Sequence, residues 1–190
     1  LWQSNILKKN KKFMKKKILF LIPQPPPVHG ASLVSYHIKN SVKINNKFQS
    51  FYINTHTSKE LEDISKLQFY KIFEIFKIVF LCFYKMLIKN PDIVMFIPAP
   101  IGLGLYKDAL LLFIIKLFRK KIILHLQGKG IRKQVVKSEF KKILFKYMLK
   151  NSNLICLSEN LINDISLVRD KSKLLKIINN FSKNVNLKKK

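Results

Sequence analysis

Lys17-Ile18-Leu19-Phe20-Leu21-Ile22-Pro23-Gln24-Pro25-Pro26-Pro27-Val28-His29-Gly30-Ala31-Ser32 is the stretch on which the fold turns. The apolar run from Lys17 to Ile22 is short and ends at a proline, which predicts a buried strand. Prolines fix φ and lack a donor, so the loop after it cannot join a sheet. His-Gly-Ala-Ser then opens a helix, with Ser32 as the expected N-cap. A helix starting just beyond a strand offers backbone N–H groups to an anion. Gly30 allows a ligand or a neighbouring backbone to come close.

Outward from this stretch, strands and helices alternate. A first helix is expected over residues 32–45, a second strand over 48–53 and a polar loop over 54–65. A long helix follows over 67–90, stopped by Pro91. Its charges Lys71, Glu74 and Lys77 are spaced to share one side. Its aromatic stripe (Phe69, Phe73, Phe76, Phe80, Phe83) reads as core, with a membrane-surface helix as the other reading. Residues 92–97 are a third strand, which Asp92 helps to start, and 98–104 a loop. A helix over 105–119, a fourth strand over 121–126 and a glycine loop over 127–131 come next. A helix over 133–151, a fifth strand over 153–157, a helix over 159–168 and a sixth strand over 174–178 complete the pattern.

This alternation predicts an α/β fold: a single Rossmann-like domain with a parallel sheet of about six strands and helices on both faces. Right-handed crossovers favour the strand order 3-2-1-4-5. The first and fourth strands would then be neighbours, and loops 23–32 and 127–131 would open onto one crevice.

Neither a dinucleotide fingerprint nor P-loop spacing follows the first strand. His29 has two readings: contact with a phosphate or sugar hydroxyl, or a loop cap. In the second loop, Gly128 and Gly130 allow close approach, Lys129 suits a phosphate or carboxylate, and Gln127 suits a sugar hydroxyl. A plain strand-to-helix turn is the alternative. His125 is either a site residue or a hydrogen-bonded core histidine. Ser158 suits an N-cap and Glu159 a first helical turn, with the crevice rim as their other reading. His37 and His56 show no obvious partner. Ser-His-Asp, Cys-His and metal-ligand spacings are absent from the sequence.

The chain has 190 residues, 48% of them hydrophobic, enough for one ordinary domain with a core. Its formal charge is +27. Residues 1–17 hold seven lysines and residues 183–190 four; without those eleven charges the remainder still carries +16. Only three of the 37 basic residues are Arg. The excess has three readings: compositional drift in an A/T-rich coding sequence, an anionic membrane surface, or nucleic acid. Nucleic-acid motifs are missing, which argues against the last. Cys82 and Cys156 make no disulfide framework and read as buried thiols of a reducing compartment. The apolar run after the early lysines is too short for a secretory signal, and no stretch suits a membrane span. Residues 1–14 are expected to be a basic leader, 15–180 the domain, and 181–190 a basic tail or interdomain linker.

Four segments together resemble one family. The first strand with Pro-Pro-Pro-Val-His-Gly-Ala-Ser is similar to the first strand-loop of family 4-like glycosyltransferases, retaining enzymes of two Rossmann domains. Residues 123–130 resemble their His-x-His-Gly strand end, residues 154–159 their strand-Ser-Glu turn, and residues 176–180 the lead into the second domain. The resemblance runs over residues 15–180. It implies transfer of a sugar from a nucleotide-sugar to a glycan or lipid-linked acceptor, in polysaccharide synthesis at the cytoplasmic face of the membrane. It implies that this domain mainly binds acceptor and that His29, Gly30, Ala31 and Ser32 approach the donor diphosphate. Gly128 and His125 carry over as site residues, His125 as the catalytic candidate. The second His of the motif is replaced by Gln127. No metal and no cofactor is implied beyond the nucleotide-sugar itself. The nucleotide-binding domain with its paired glutamates is expected elsewhere, as a missing C-terminal part or a separate chain, and this half is expected to be inactive without it. The alternative is a non-catalytic basic module that binds a membrane surface.

Overall fold

In the computed structural model, which describes residues 15–57, 69–169 and 175–178, the opening run is strand β1 (Lys17–Ile22), buried from Ile18 to Ile22. It pairs in parallel with β2 (Gln49–Asn54) on one side and β3 (Ile93–Phe96) on the other. A strand with neighbours on both edges and cover on both faces has no wet position, which is why its sequence is continuously apolar. Strands β4 (Lys121–Leu126), β5 (Asn153–Cys156) and β6 (Leu175–Ile177) extend the sheet, all parallel, in the order β2-β1-β3-β4-β5-β6.

The expected order is corrected by this register. β3, not β4, lies beside β1, so the topological switch point falls between β1 and β3. Both orders satisfy right-handed crossovers and buried strands. They differ only in whether the chain reverses after its second strand or its third, and here it reverses after β2.

That reversal distributes the helices. Helices α1 (Gly30–Lys39) and α2 (Val42–Lys47) cover one face, packing Ala31, Ile38 and Ile44 on Ile18, Phe20 and Ile22. Every later crossover runs the other way, so right-handedness puts its helix on the opposite face. Helices α3 (Phe69–Lys89), α4 (Leu103–Leu117), α5 (Ile131–Lys137), α6 (Glu139–Leu149) and α7 (Glu159–Ile165) build the larger core there, over Leu19, Leu21, Val94 and Phe96. The α/β, Rossmann-like, single-sheet class is as expected. Asp92 ties the starts of β1 and β3: its carboxylate accepts the Lys17 N–H at 2.8 Å and its own N–H donates to the Lys17 carbonyl at 2.9 Å.

Three local expectations change. The helix expected over 32–45 starts earlier and is two helices. His29 is the N-cap, its Nδ1 accepting the Ser32 N–H at 3.4 Å, and the Ser32 hydroxyl accepts the His29 N–H at 2.9 Å. Ser32 is therefore the third helical residue, fully buried, rather than the cap. The helix expected over 133–151 breaks at Ser138, whose hydroxyl caps α6 by accepting the Lys141 N–H at 3.4 Å.

The third change concerns the aromatic stripe of α3. Phe73, Phe76 and Phe80 point outward, 72%, 68% and 70% exposed, and Phe83 is half exposed. The row facing the sheet is Ile78, Cys82 and Met86. Lys71 lies on the buried side too, apart from the exposed Glu74–Lys77 pair. The helix has two apolar rows, and the aromatic one is not the core one. The side chain of Phe69 lies outside the described residues, as do the expected leader and tail.

Cys82 and Cys156 are buried free thiols, both pushed up in pKa by burial, Cys82 to about 12. Among the described residues no helix is long and apolar enough to cross a membrane.

Candidate functional site

Parallel strands put all their C-terminal loops at one end of the sheet, and ligands of such folds bind there, beside the switch point. A cleft of about 800 Å³ opens at that place. His29 reaches it from the end of the loop after β1, Gly30 and Ala31 from the start of α1, and Gln127 and Gly128 from the loop after β4. The two loops expected to share a crevice do so, with the loop after β3 running between them.

The start of α1 forms one wall. The N–H groups of Gly30 and Ala31 have no hydrogen-bond partner among the described residues, while those of His29 and Ser32 are bonded within the cap. A Cβ built on Gly30 would meet nothing within 4 Å. The glycine is thus not required by packing, and the two residues with unused donors line the cleft at a helix N-terminus. That arrangement suits an anionic group.

Beside it stand two imidazoles. The rings of His29 and His56 meet edge to face with centroids 5.0 Å apart. Burial lowers the pKa of His29. Burial likewise lowers that of His56, aided by the His29 and Lys107 charges and opposed by a hydrogen bond involving Gln24. Both are neutral near pH 7, so they offer hydrogen bonds rather than charge. Because the His29 Nδ1 accepts the Ser32 N–H, its proton sits on Nε2. The His56 Nδ1 is buried without a partner among the described residues.

The second loop is built differently from the expectation. The Asp164 carboxylate, from α7, accepts the N–H groups of Gly130 at 3.0 Å, Ile131 at 2.9 Å and Arg132 at 3.2 Å. The N–H groups at the start of α5 are thus already taken up by one of the protein's own carboxylates. A Cβ on Gly128 would stand 2.7 Å from the Pro100 ring, and one on Gly130, at φ +120°, 3.1 Å from Ile101. Both glycines have a packing or backbone reason in the fold. Lys129 is exposed and does not line the cleft. Of this loop, only Gln127 and Gly128 face the cleft.

Sequence reasoning missed a buried ion pair. Lys107 and Asp108 lie 3.3 Å apart on α4, almost wholly buried, and Lys107 lines the cleft. Lys107 also donates to the Thr55 carbonyl after β2, and Asp108 accepts the Ala99 N–H after β3 at 2.7 Å. Burial raises the Asp108 pKa, with the Lys107 charge the leading opposing influence. The pair therefore pins α4 to two of the loops that shape the cleft. Buried Lys71 of α3 adds a second cationic side chain to the lining. Two adjacent charges inside the otherwise uncharged stretch 103–115 were a usable signal.

His125 lies off the cleft wall. It is buried on the α1 side of the sheet, opposite Ile155, with Nδ1 3.2 Å from the Gln127 amide nitrogen. That amide can only donate, so Nδ1 accepts and the proton rests on Nε2, which is buried without a partner among the described residues. Burial lowers its pKa to about 4. Ser158 is the N-cap of α7 by backbone, but its side chain makes no cap bond. Glu159 occupies the first turn, and neither residue lines the cleft. Among the described residues no three His, Cys, Asp or Glu side chains cluster in a way that could hold a metal ion.

No family model matches this sequence, and no curated protein matches it.

Proposed function

We propose that this domain is the mainly acceptor-binding half of a glycosyltransferase. It takes part in moving a sugar from a nucleotide-sugar to a glycan or lipid-linked acceptor in the cytoplasm. The observation that carries the reading is the pair of unpartnered N–H groups of Gly30 and Ala31, two residues that line a cleft at the switch point of a parallel sheet.

In this reading those donors stabilise the donor's diphosphate as negative charge grows on it, a preorganised effect that needs no proton transfer. Lys71 adds an ammonium group to the same lining, where the charge of Lys107 is matched by Asp108. Neutral His29, neutral His56 and Gln127 hold sugar hydroxyls by hydrogen bonds. The nucleotide itself is bound by a second domain, supplied outside the residues described here. His125, buried beside Gln127, acts by positioning that amide rather than by touching substrate.

Isothermal titration of the chain with a panel of nucleotide-sugars tests this. The reading predicts weak binding that depends on the diphosphate and is abolished by Gly30→Val, a change the open space before Gly30 accommodates without unfolding. Tight binding by the isolated chain, or weak binding unaffected by Gly30→Val, contradicts it.

A further inference from the structure

Residues 129–150, from the loop before α5 to the end of α6, hold eight basic residues and one acid. The acid, Glu139, is paired with Lys142 at 3.0 Å, and Lys141 is bonded to the Gln134 side chain. Lys129, Arg132, Lys133, Lys137 and Lys146 are exposed, and none has an acidic partner among the described residues. Asp164, which closes the start of α5, is held by three backbone N–H groups. Five cations here are left uncompensated.

The same helices expose hydrocarbon. Val136, Phe140 and Ile143 are 69%, 63% and 61% exposed. Helix α5 buries Ile131 and Val135, and α6 buries Phe145, Met148 and Leu149, all in one core on one face of the sheet. The opposite sides of both helices therefore turn away from that core together. On α5 that side holds Arg132, Lys133, Val136 and Lys137, and on α6 Phe140, Ile143 and Lys146, each set at helical spacing. Ser138 alone separates the two helices.

Large apolar side chains set among free cations match the boundary between acyl chains and anionic headgroups, where the hydrocarbon sinks and ammonium groups meet phosphates. Nucleic acid would satisfy the charge, yet Val136 and Ile143 offer it neither stacking nor hydrogen bonds. A second copy would set the same cations against one another.

We infer that the outward side of α5 and α6 docks the protein on an anionic lipid bilayer. Docking stands independently of sugar transfer. One consequence joins them and rests on the proposed function: Lys129 directly follows Gly128, which lines the cleft. Docking therefore brings an edge of the cleft toward the bilayer, where a lipid-anchored acceptor is held.

Flotation of the full chain with vesicles of about seven parts phosphatidylcholine to three of phosphatidylglycerol, and with phosphatidylcholine alone, tests the inference at low salt and at about 0.5 M salt. Capture by the anionic vesicles is expected, with a part that survives high salt. Val136→Ser/Phe140→Ser/Ile143→Ser should weaken partition at least about tenfold and remove the salt-resistant part. Arg132→Gln/Lys133→Gln/Lys137→Gln should weaken it at low salt by about a hundredfold. Lys39→Gln/Lys43→Gln/Lys47→Gln, an equal loss of charge on the other face of the sheet, should change it far less. Each variant is expected to keep the parent's circular dichroism, since every replaced side chain is exposed. Equal weakening by the two glutamine variants would show that net charge alone binds lipid, and would overturn the inference. Vesicle capture unchanged in the serine variant, with oligonucleotide binding lost in Arg132→Gln/Lys133→Gln/Lys137→Gln, would make nucleic acid the occupant and overturn it too. Absent capture of the parent with an intact nucleotide-sugar response strikes docking alone, and the reverse strikes only the proposed function.

Discussion

The carboxylate of Asp164 accepts the N–H of Ile131 at 2.9 Å, linking the start of α5 to a helix 33 residues further on. This contact separates two loops that look alike in sequence. Both follow a buried strand, both contain glycine and both open a helix. One is closed by the protein's own anion. The other, at Gly30, leaves its donors free for a ligand.

Removing that anion should be costly. Asp164→Ala leaves three N–H groups without their acceptor, and such a cap is worth about 1–2 kcal/mol. A urea titration should show the midpoint fall with little change in slope. An unchanged midpoint would mean that water replaces the carboxylate at no cost.

Two glycines should respond oppositely to alanine. At Gly128 a Cβ collides with the Pro100 ring at 2.7 Å, and overpacking of this kind costs about 1–3 kcal/mol. At Gly30 the Cβ meets nothing within 4 Å, and alanine gains up to about 1 kcal/mol in a helix. Thermal melting of the two variants distinguishes them directly.

The Lys107–Asp108 pair should be strongly coupled. Lys107→Met strands a buried carboxylate, a loss of about 3–5 kcal/mol. Adding Asp108→Asn removes the stranded charge and should recover part of it, so the two effects are not additive. A loss in the double variant equal to the sum of the Lys107→Met and Asp108→Asn losses would show that the pair is not interacting.

Acid should destabilise the fold through His125. Its folded pKa, about 4, lies below the unfolded value of 6.5, so the unfolded chain binds more protons between these limits. Stability is therefore complete above about pH 6.5 and lost as pH falls toward 4, by on the order of 3 kcal/mol for this residue. His29 and His56, also lowered, act in the same direction. His125→Asn keeps an acceptor for the Gln127 amide and should flatten the dependence of the urea midpoint on pH.

What the sequence disclosed follows from the range of each interaction. The bounds of β1 and β4 were legible because buried parallel strands are apolar throughout. The cleft's two loops were legible because a parallel sheet must put them at one end. Strand order was not, since nothing in an apolar run names its neighbour. The α3 stripe misled because periodicity shows that residues share a face, not that anything covers it. Asp164 was invisible as a cap because its partners lie more than thirty residues away in the chain.

Titration of ¹⁵N-labelled protein with inorganic pyrophosphate tests the central claim most directly, by following the amides of Gly30, Ala31, Gly130 and Ile131. Saturable shifts at Gly30 and Ala31, with Gly130 and Ile131 still, are the expected result. Shifts confined to Gly130 and Ile131, or none at any of the four, would contradict the account.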